Sequence, residues 1–127
     1  MRCLRIYATD DGESHFDEVE IATTSKRVHP DAAAFAMSDK YEAAGIRFTR
    51  IPAGAREVKW HTVPERVLTV RLGGSAEYET SDGEMRTVPG GGFILFEDTL
   101  GRGHRTFHSP QEQTVMWISL PHGLDGG

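Results

Sequence analysis

Residues 67–88 read VLTVRLGGSAEYETSDGEMRTV, and this stretch decides the fold. Residues 67–72 and 76–80 each alternate in character with a period of two, as strands with one buried face do. Gly73-Gly74 separates them, and Ser81-Asp82-Gly83-Glu84 is an Asp-Gly hairpin turn leading into residues 85–88. Working outward, residues 46–51 (IRFTRI), 58–61 (VKWH), 93–96 (FILF), 105–108 (RTFH) and 114–120 (TVMWISL) are further strands. Residues 3–7 (CLRIY) form another near the start. The 14 glycines cluster between these runs as turns, so the chain reads as all-β. Residues 31–45 break the pattern: Asp31 as N-cap, AAAFAMSDKYEAA and the closing Gly45 predict either a helix or an irregular arm.

The chain of 127 residues suits one domain, in which a single core buries roughly two-thirds of the unfolded chain's surface without metal or disulfide. Nineteen Asp+Glu against 14 Lys+Arg give a formal charge of -5, which argues against nucleic acid and anionic membranes as partners. Cys3 is the lone cysteine, so no intrachain disulfide forms and a reducing compartment, the cytoplasm, is expected. Residues 1–20 carry Asp10, Asp11, Glu13, Asp17, Glu18 and Glu20 and lack the apolar region of a signal peptide. No stretch approaches the roughly 20 apolar residues of a membrane span. Gly-x-Ser-x-Gly, phosphate-loop and Cys-x-x-Cys motifs are absent, which removes the common hydrolase, nucleotide and zinc-ribbon mechanisms.

The residues from Pro52 to His108 carry Trp60-His61, Ser81-Asp82-Gly83, Pro89-Gly90, Glu97-Asp98-Thr99 and Gly101-Arg102-Gly103-His104. This set resembles the cupin superfamily, and within it small single-domain cupins. Arg5-Ile6-Tyr7 and Ser14-His15-Phe16 add to the likeness. The resemblance implies a jelly-roll barrel (double-stranded β-helix) over residues 46–120, an N-terminal arm over 1–45 packing on the barrel or on a partner subunit, and a frayed tail over 121–127. It also implies a homodimer and a pocket at the barrel's centre.

The first cupin motif holds a pair of histidines and a carboxylate, and the second motif adds another histidine. His61 and His104 fill two of these positions, whereas Val63 and Val67 stand at the other two and cannot bind metal. A divalent ion (Fe, Mn, Ni or Zn) would then need a third ligand from His15, Glu97 or His108. The metal-free version fits better, because half of the ligand set is missing.

The resemblance therefore implies a small-molecule enzyme of the cupin type acting on a small polar metabolite. His61 and His104 are its catalytic candidates and also its metal candidates, with Glu97 as the assisting carboxylate. Its chemistry would be of the isomerase, lyase or cyclase kind by proton transfer, or a dioxygenase if a metal is bound. The alternatives are a non-catalytic metabolite-binding or sensing cupin, and a structural dimer. Trp60, Arg71, His15 and Asp98 are the substrate-binding candidates.

Two orientations stay open. Glu97 and Asp98 are adjacent on a strand, so at most one faces the pocket. In VLTVRL the apolar set Leu68, Val70 and Leu72 argues for Arg71 outside, whereas the cupin alignment turns residue 67, and with it Thr69 and Arg71, inward.

Overall fold

The computed structural model describes residues 1–124. Its strands are β1 (Arg2–Ala8), β2 (Ser14–Glu20), β3 (Thr24–Lys26), β4 (Phe35–Met37), β5 (Gly45–Ile51), β6 (Arg56–His61), β7 (Val67–Arg71), β8 (Ala76–Thr80), β9 (Met85–Val88), β10 (Phe93–Glu97), β11 (His104–His108) and β12 (Gln113–Ser119). Among the described residues there is no helix, so the all-β reading holds. A six-stranded sheet runs in the order β2-β1-β10-β7-β12-β5, a four-stranded sheet in the order β6-β11-β8-β9, and β3 pairs with β4 alone.

The two larger sheets face one another across an apolar cluster. Ile6, Phe16, Ile94 and Phe96 come from the six-stranded sheet and Ala76, Tyr78 and Val88 from the four-stranded one. Period-two alternation puts them there: Ile94 and Phe96 point between the sheets, while Leu95 joins Cys3, Ile21, Leu120 and Leu124 in a second cluster. Tyr41, from the segment before β5, and Leu68 pack against that second cluster.

The sheets stay open. β2 and β5 are edges of one sheet and β6 and β9 edges of the other, and no ladder joins an edge of one to an edge of the other among the described residues. A jelly-roll barrel would need those edges to hydrogen-bond. The cupin jelly-roll barrel (double-stranded β-helix) expected for residues 46–120 is therefore overturned, and membership of the cupin superfamily goes with it. What the alternation of residues 46–120 could specify was strands with one buried face, and this is common to open and closed sheets.

Three local features bear on the sequence reading. Residues 31–45 form no helix: Phe35–Met37 pairs antiparallel with Thr24–Lys26, and Phe35 is 54% exposed, so the Ala-rich run offers no apolar face to bury. β2 was hidden by Asp17, Glu18 and Glu20. Arg5 takes Asp17, and Arg2 takes Glu18 and Glu20, across the β1–β2 ladder, while Phe16 faces the core. Of the tail expected over 121–127, Leu124 is buried in the second cluster, and 125–127 lie outside the described residues.

β11 crosses between β6 and β8, with His104 opposite His61 and a register shift before Thr106. Gly103, at φ 76°, makes this crossing possible: a Cβ there would stand 1.9 Å from the His61 carbonyl oxygen. Ser14, at the start of β2, fixes the same loop, its Oγ donating to the Gly103 carbonyl at 2.6 Å. The substitution Gly103→Ala combines backbone strain with this clash and is expected to cost about 3 kcal/mol or more. Gly54→Ala, at φ 76° in open space, should cost about 1 kcal/mol. Urea unfolding of both variants checks the difference, and equal losses would contradict the role given to Gly103.

Candidate functional site

Toward β5 and β12 the two sheets are not filled by apolar side chains, and a cleft of about 380 Å³ opens between them. β7 sends Val67, Thr69 and Arg71 into it from one sheet, and β11 sends His104, Thr106 and His108 from the other. Tyr78 of β8, Phe96 of β10 and Val115 of β12 complete its inner wall. Arg71, Thr69, Tyr78, His104 and Thr106 are all buried. Arg71 thus faces inward, and the outward phase of β7 carries Leu68 onto the second cluster.

Behind the inner wall, His104 is backed by a buried carboxylate. Asp98 is fully buried and His104 is 2% exposed, with His104 Nδ1 2.6 Å from Asp98 Oδ2. Asp98 sits directly after β10, its carbonyl accepting the Val63 N–H at 3.2 Å. Against a carboxylate, Nδ1 must carry the hydrogen, which leaves Nε2 of His104 as the basic nitrogen. Phe96 stacks on the His104 ring at 4.6 Å between centroids, and the His61 ring lies at the same distance, tilted by 57°. The second oxygen of Asp98, Oδ1, has no partner among the described residues.

His61 stands at the rim, its Nδ1 hydrogen-bonded to the Lys59 carbonyl at 2.9 Å and its Nε2 3.8 Å from Glu57. Glu57 also accepts a hydrogen bond from His108 Nε2, and this bond holds its carboxyl below the usual carboxylate range. Deeper in, Arg71 Nη1 donates to the Tyr78 hydroxyl at 2.8 Å and Nη2 donates to Gln113 Oε1. Burial pushes the Tyr78 phenol up to about 12, against the opposing pull of Arg71.

The structure brings His61, His104 and Arg71 to one cleft, with Asp98 bonded to His104 behind its wall, and leaves the other candidates apart. Glu97 is not at the cleft; it pairs with Arg5 at 2.9 Å and with Arg66 at 3.5 Å. His15 lies on the N-terminal hairpin, between Thr9 Oγ1 and Asp82 Oδ2, each at 3.1 Å. Trp60 is covered by the guanidinium groups of Arg102 and Arg105, at 5.3 and 4.5 Å from its ring centroid. Tyr78, Thr106 and Gln113 went unnoticed in the sequence, although alternation in AEYET and HRTFH puts Tyr78 in phase with Ala76, and Thr106 in phase with His104. Cys3 is buried, and its thiol is pushed up to about 11, so it is no nucleophile.

These placements bear on the divalent ion that the resemblance implied. The bonds of His104 Nδ1 to Asp98 and of His61 Nδ1 to a backbone carbonyl leave both Nε2 atoms available, while the third-ligand candidates His15, Glu97 and His108 each hold other partners. Among the described residues no three His, Cys, Asp or Glu side chains are grouped to hold a metal ion. The cupin-type function also falls, both as enzyme and as metabolite sensor, because no closed barrel encloses a pocket.

No protein-family model matches the chain, and no curated protein does. Protein NMB1881 from Neisseria meningitidis, known from a crystal structure, is similar over 65% of this chain and 87% of its own, at 17% identity and a TM-score of 0.48. At that score nothing further is drawn from the likeness. Fold and site together define an all-β protein of open sheets with a cleft between them, its walls mainly apolar around a few buried polar groups. Among its described residues no helix is long and apolar enough to cross a membrane.

Two measurements check the cleft's electrostatics. Asp98→Asn removes a charge-assisted buried bond and should cost about 1.5–3 kcal/mol, with the His104 ring nitrogens changing tautomer in ¹⁵N NMR spectra. A tautomer that stays the same would contradict the role of Asp98. Tyr78, raised above its ordinary value of 10.0, contributes stability that is complete below pH 10 and is lost as pH rises toward about 12. Phenolate absorbance should therefore show one tyrosine titrating about two pH units late, and Tyr78→Phe should abolish that late step.

Proposed function

We propose that the chain is an enzyme working by general acid–base catalysis, with His104 as the group that takes and returns the proton. The observation that carries this reading is the buried Asp98–His104 hydrogen bond on the wall of an open cleft. A buried imidazole with Nδ1 fixed by a carboxylate has one defined basic nitrogen and one defined orientation, as proton transfer requires. Phe96, stacked on the ring, and His61, tilted against it, hold the ring in place.

The reaction class is proton abstraction next to a carbonyl. Nε2 of His104 takes the proton from the carbon, the electron pair of the broken C–H bond moves into a C=C bond, and the carbonyl oxygen takes up the charge. The imidazolium, stabilised by Asp98, returns the proton to the same carbon or to a neighbouring one. This reading is drawn from the cleft alone and uses neither a barrel nor a metal.

The test is hydrogen exchange in D2O followed by ¹H NMR, using pyruvate, 2-oxobutyrate, hydroxyacetone and 2-butanone. The wild type should exchange the protons next to the carbonyl of at least one of these compounds. His104→Gln should lower that rate by about 10²–10⁴-fold, and Asp98→Asn should lower it as well. Exchange of none of the four compounds, or equal rates for wild type and His104→Gln, would sink the proposal.

A further inference from the structure

Among the described residues Arg71 is the largest fully buried side chain, 1% exposed, and no carboxylate among them forms an ion pair with it. Its two hydrogen-bond partners, Tyr78 and Gln113, are both neutral. A guanidinium offers five N–H donors, and here Nε has no partner among the described residues. Taking a cation out of water without a counter-charge costs several kcal/mol, which neutral hydrogen bonds only partly offset. The cleft is where such a counter-charge can reach it, since Arg71 forms part of the wall.

The surroundings favour an anion at this point. The Tyr78 oxygen accepts from Arg71 Nη1, so its own hydrogen is free to be donated. Thr69, buried two residues before Arg71 on β7, brings another hydroxyl to the same wall. The acidic side chains at the rim are already engaged, Glu57 with His108 and Glu65 with Ser119. Gln113 is itself anchored to the Ser75 carbonyl at 3.1 Å and to Ser109, so the guanidinium is held in a fixed orientation.

We infer that Arg71, with the Tyr78 hydroxyl, is a carboxylate-binding site, and that the molecule bound in the cleft is a small organic acid carrying a carbonyl group. This deepens the acid–base reading and rests on the same cleft. Tyr78 links the two functions: its hydroxyl meets Arg71, and its ring meets the His104 ring edge-on at 6.2 Å between centroids. An acid only a few atoms long therefore has its carboxylate at Arg71 and its acidic C–H near His104. A cleft of about 380 Å³ suits a molecule of that size. The planar fork of arginine matches a carboxylate and has no equivalent for a neutral amide oxygen.

The experiment compares 2-oxobutyrate with its uncharged amide, 2-oxobutanamide, titrated into the full chain and followed by ¹H–¹⁵N NMR. The wild type should bind the acid about tenfold or more tighter than the amide. Arg71→Met should erase that preference. Should Arg71→Met not fold, Arg71→Lys keeps the charge but loses the fork and should weaken the acid by about tenfold while leaving the amide unchanged. Equal binding of acid and amide by the wild type, binding of neither, or a preference that survives both Arg71 variants would overturn the inference. His104→Gln separates the two readings, because it should lose exchange yet keep the preference for the acid. If exchange fails and that preference stands, only the acid–base reading falls.

Discussion

Face-to-face packing of the two larger sheets is the constraint on which everything else in the structure depends. Ile6, Phe16, Ile94 and Phe96 meet Ala76, Tyr78 and Val88 in one cluster, and each large side chain buried there is worth about 1.5–3 kcal/mol. The cluster lies under β1, β2 and β10, and toward β12 and β5 the filling changes. There Ile51, Val67, Val115 and Trp117 share the lining with Thr69 and Arg71, and the sheets are separated by a cleft instead of being joined by a core. The apolar half of the interface fixes the spacing at which the polar half faces itself across that cleft.

Such a polar half is expensive. Arg71, Asp98, His104, Thr106 and Gln113 are all buried, and Arg71 and Asp98 each keep one polar atom without a partner among the described residues. Exchanging buried charged groups for well-packed apolar ones of similar volume is often neutral or stabilising. Stability therefore gives no reason to hold an arginine and an aspartate in these places, whereas a ligand or a reaction does. The contrast with Arg5 is instructive: it is also partly buried, but Asp17 and Glu97 neutralise it, and its role is to tie β1 to β2 and β10.

Much of the strand set was legible because alternation is a local property. The runs around 67–72, 76–80, 85–88 and 114–120 carry it, and the Asp-Gly turn at 81–84 forms with Gly83 at φ 89°. Sheet closure is not local. It depends on whether β2 or β5 meets β6 or β9, and no residue pattern along one strand encodes that pairing. Phase was likewise only half legible. Counting in twos from Phe96 puts Asp98 on the side of Ile94 and Phe96, and Glu97 on the side of Leu95, but the sequence does not say which side is the cleft. For β7 the apolar phase, Leu68, Val70 and Leu72, suggested the wrong buried face. The six-stranded sheet is covered on its outer side around β1, β10 and β7, where Leu68 packs against the outer cluster with Tyr41, while Ile46 and Phe48 of β5 stay exposed. That covering comes from residues 41 and 120–124, far away in sequence.

The chemistry of the cleft sits on ladders more than on loops. Arg71, Tyr78 and His104 belong to three strands, and Tyr78 and His104 lie on adjacent ones, with Thr106 directly opposite Tyr78. The distances between anchor, phenol and imidazole are then set by strand spacing and pleat, which change little with side-chain motion. The exception is Asp98, one residue beyond β10, where the ladder ends. It is held there by its backbone bond to Val63 and by the His104 ring that it orients. The Gly103 loop, pinned by Ser14 from the N-terminal hairpin, delivers His104 to that point. The N-terminal strands are therefore part of the site's support: β1 and β2 add no side chain to the cleft, yet they fix the turn from which its central histidine enters.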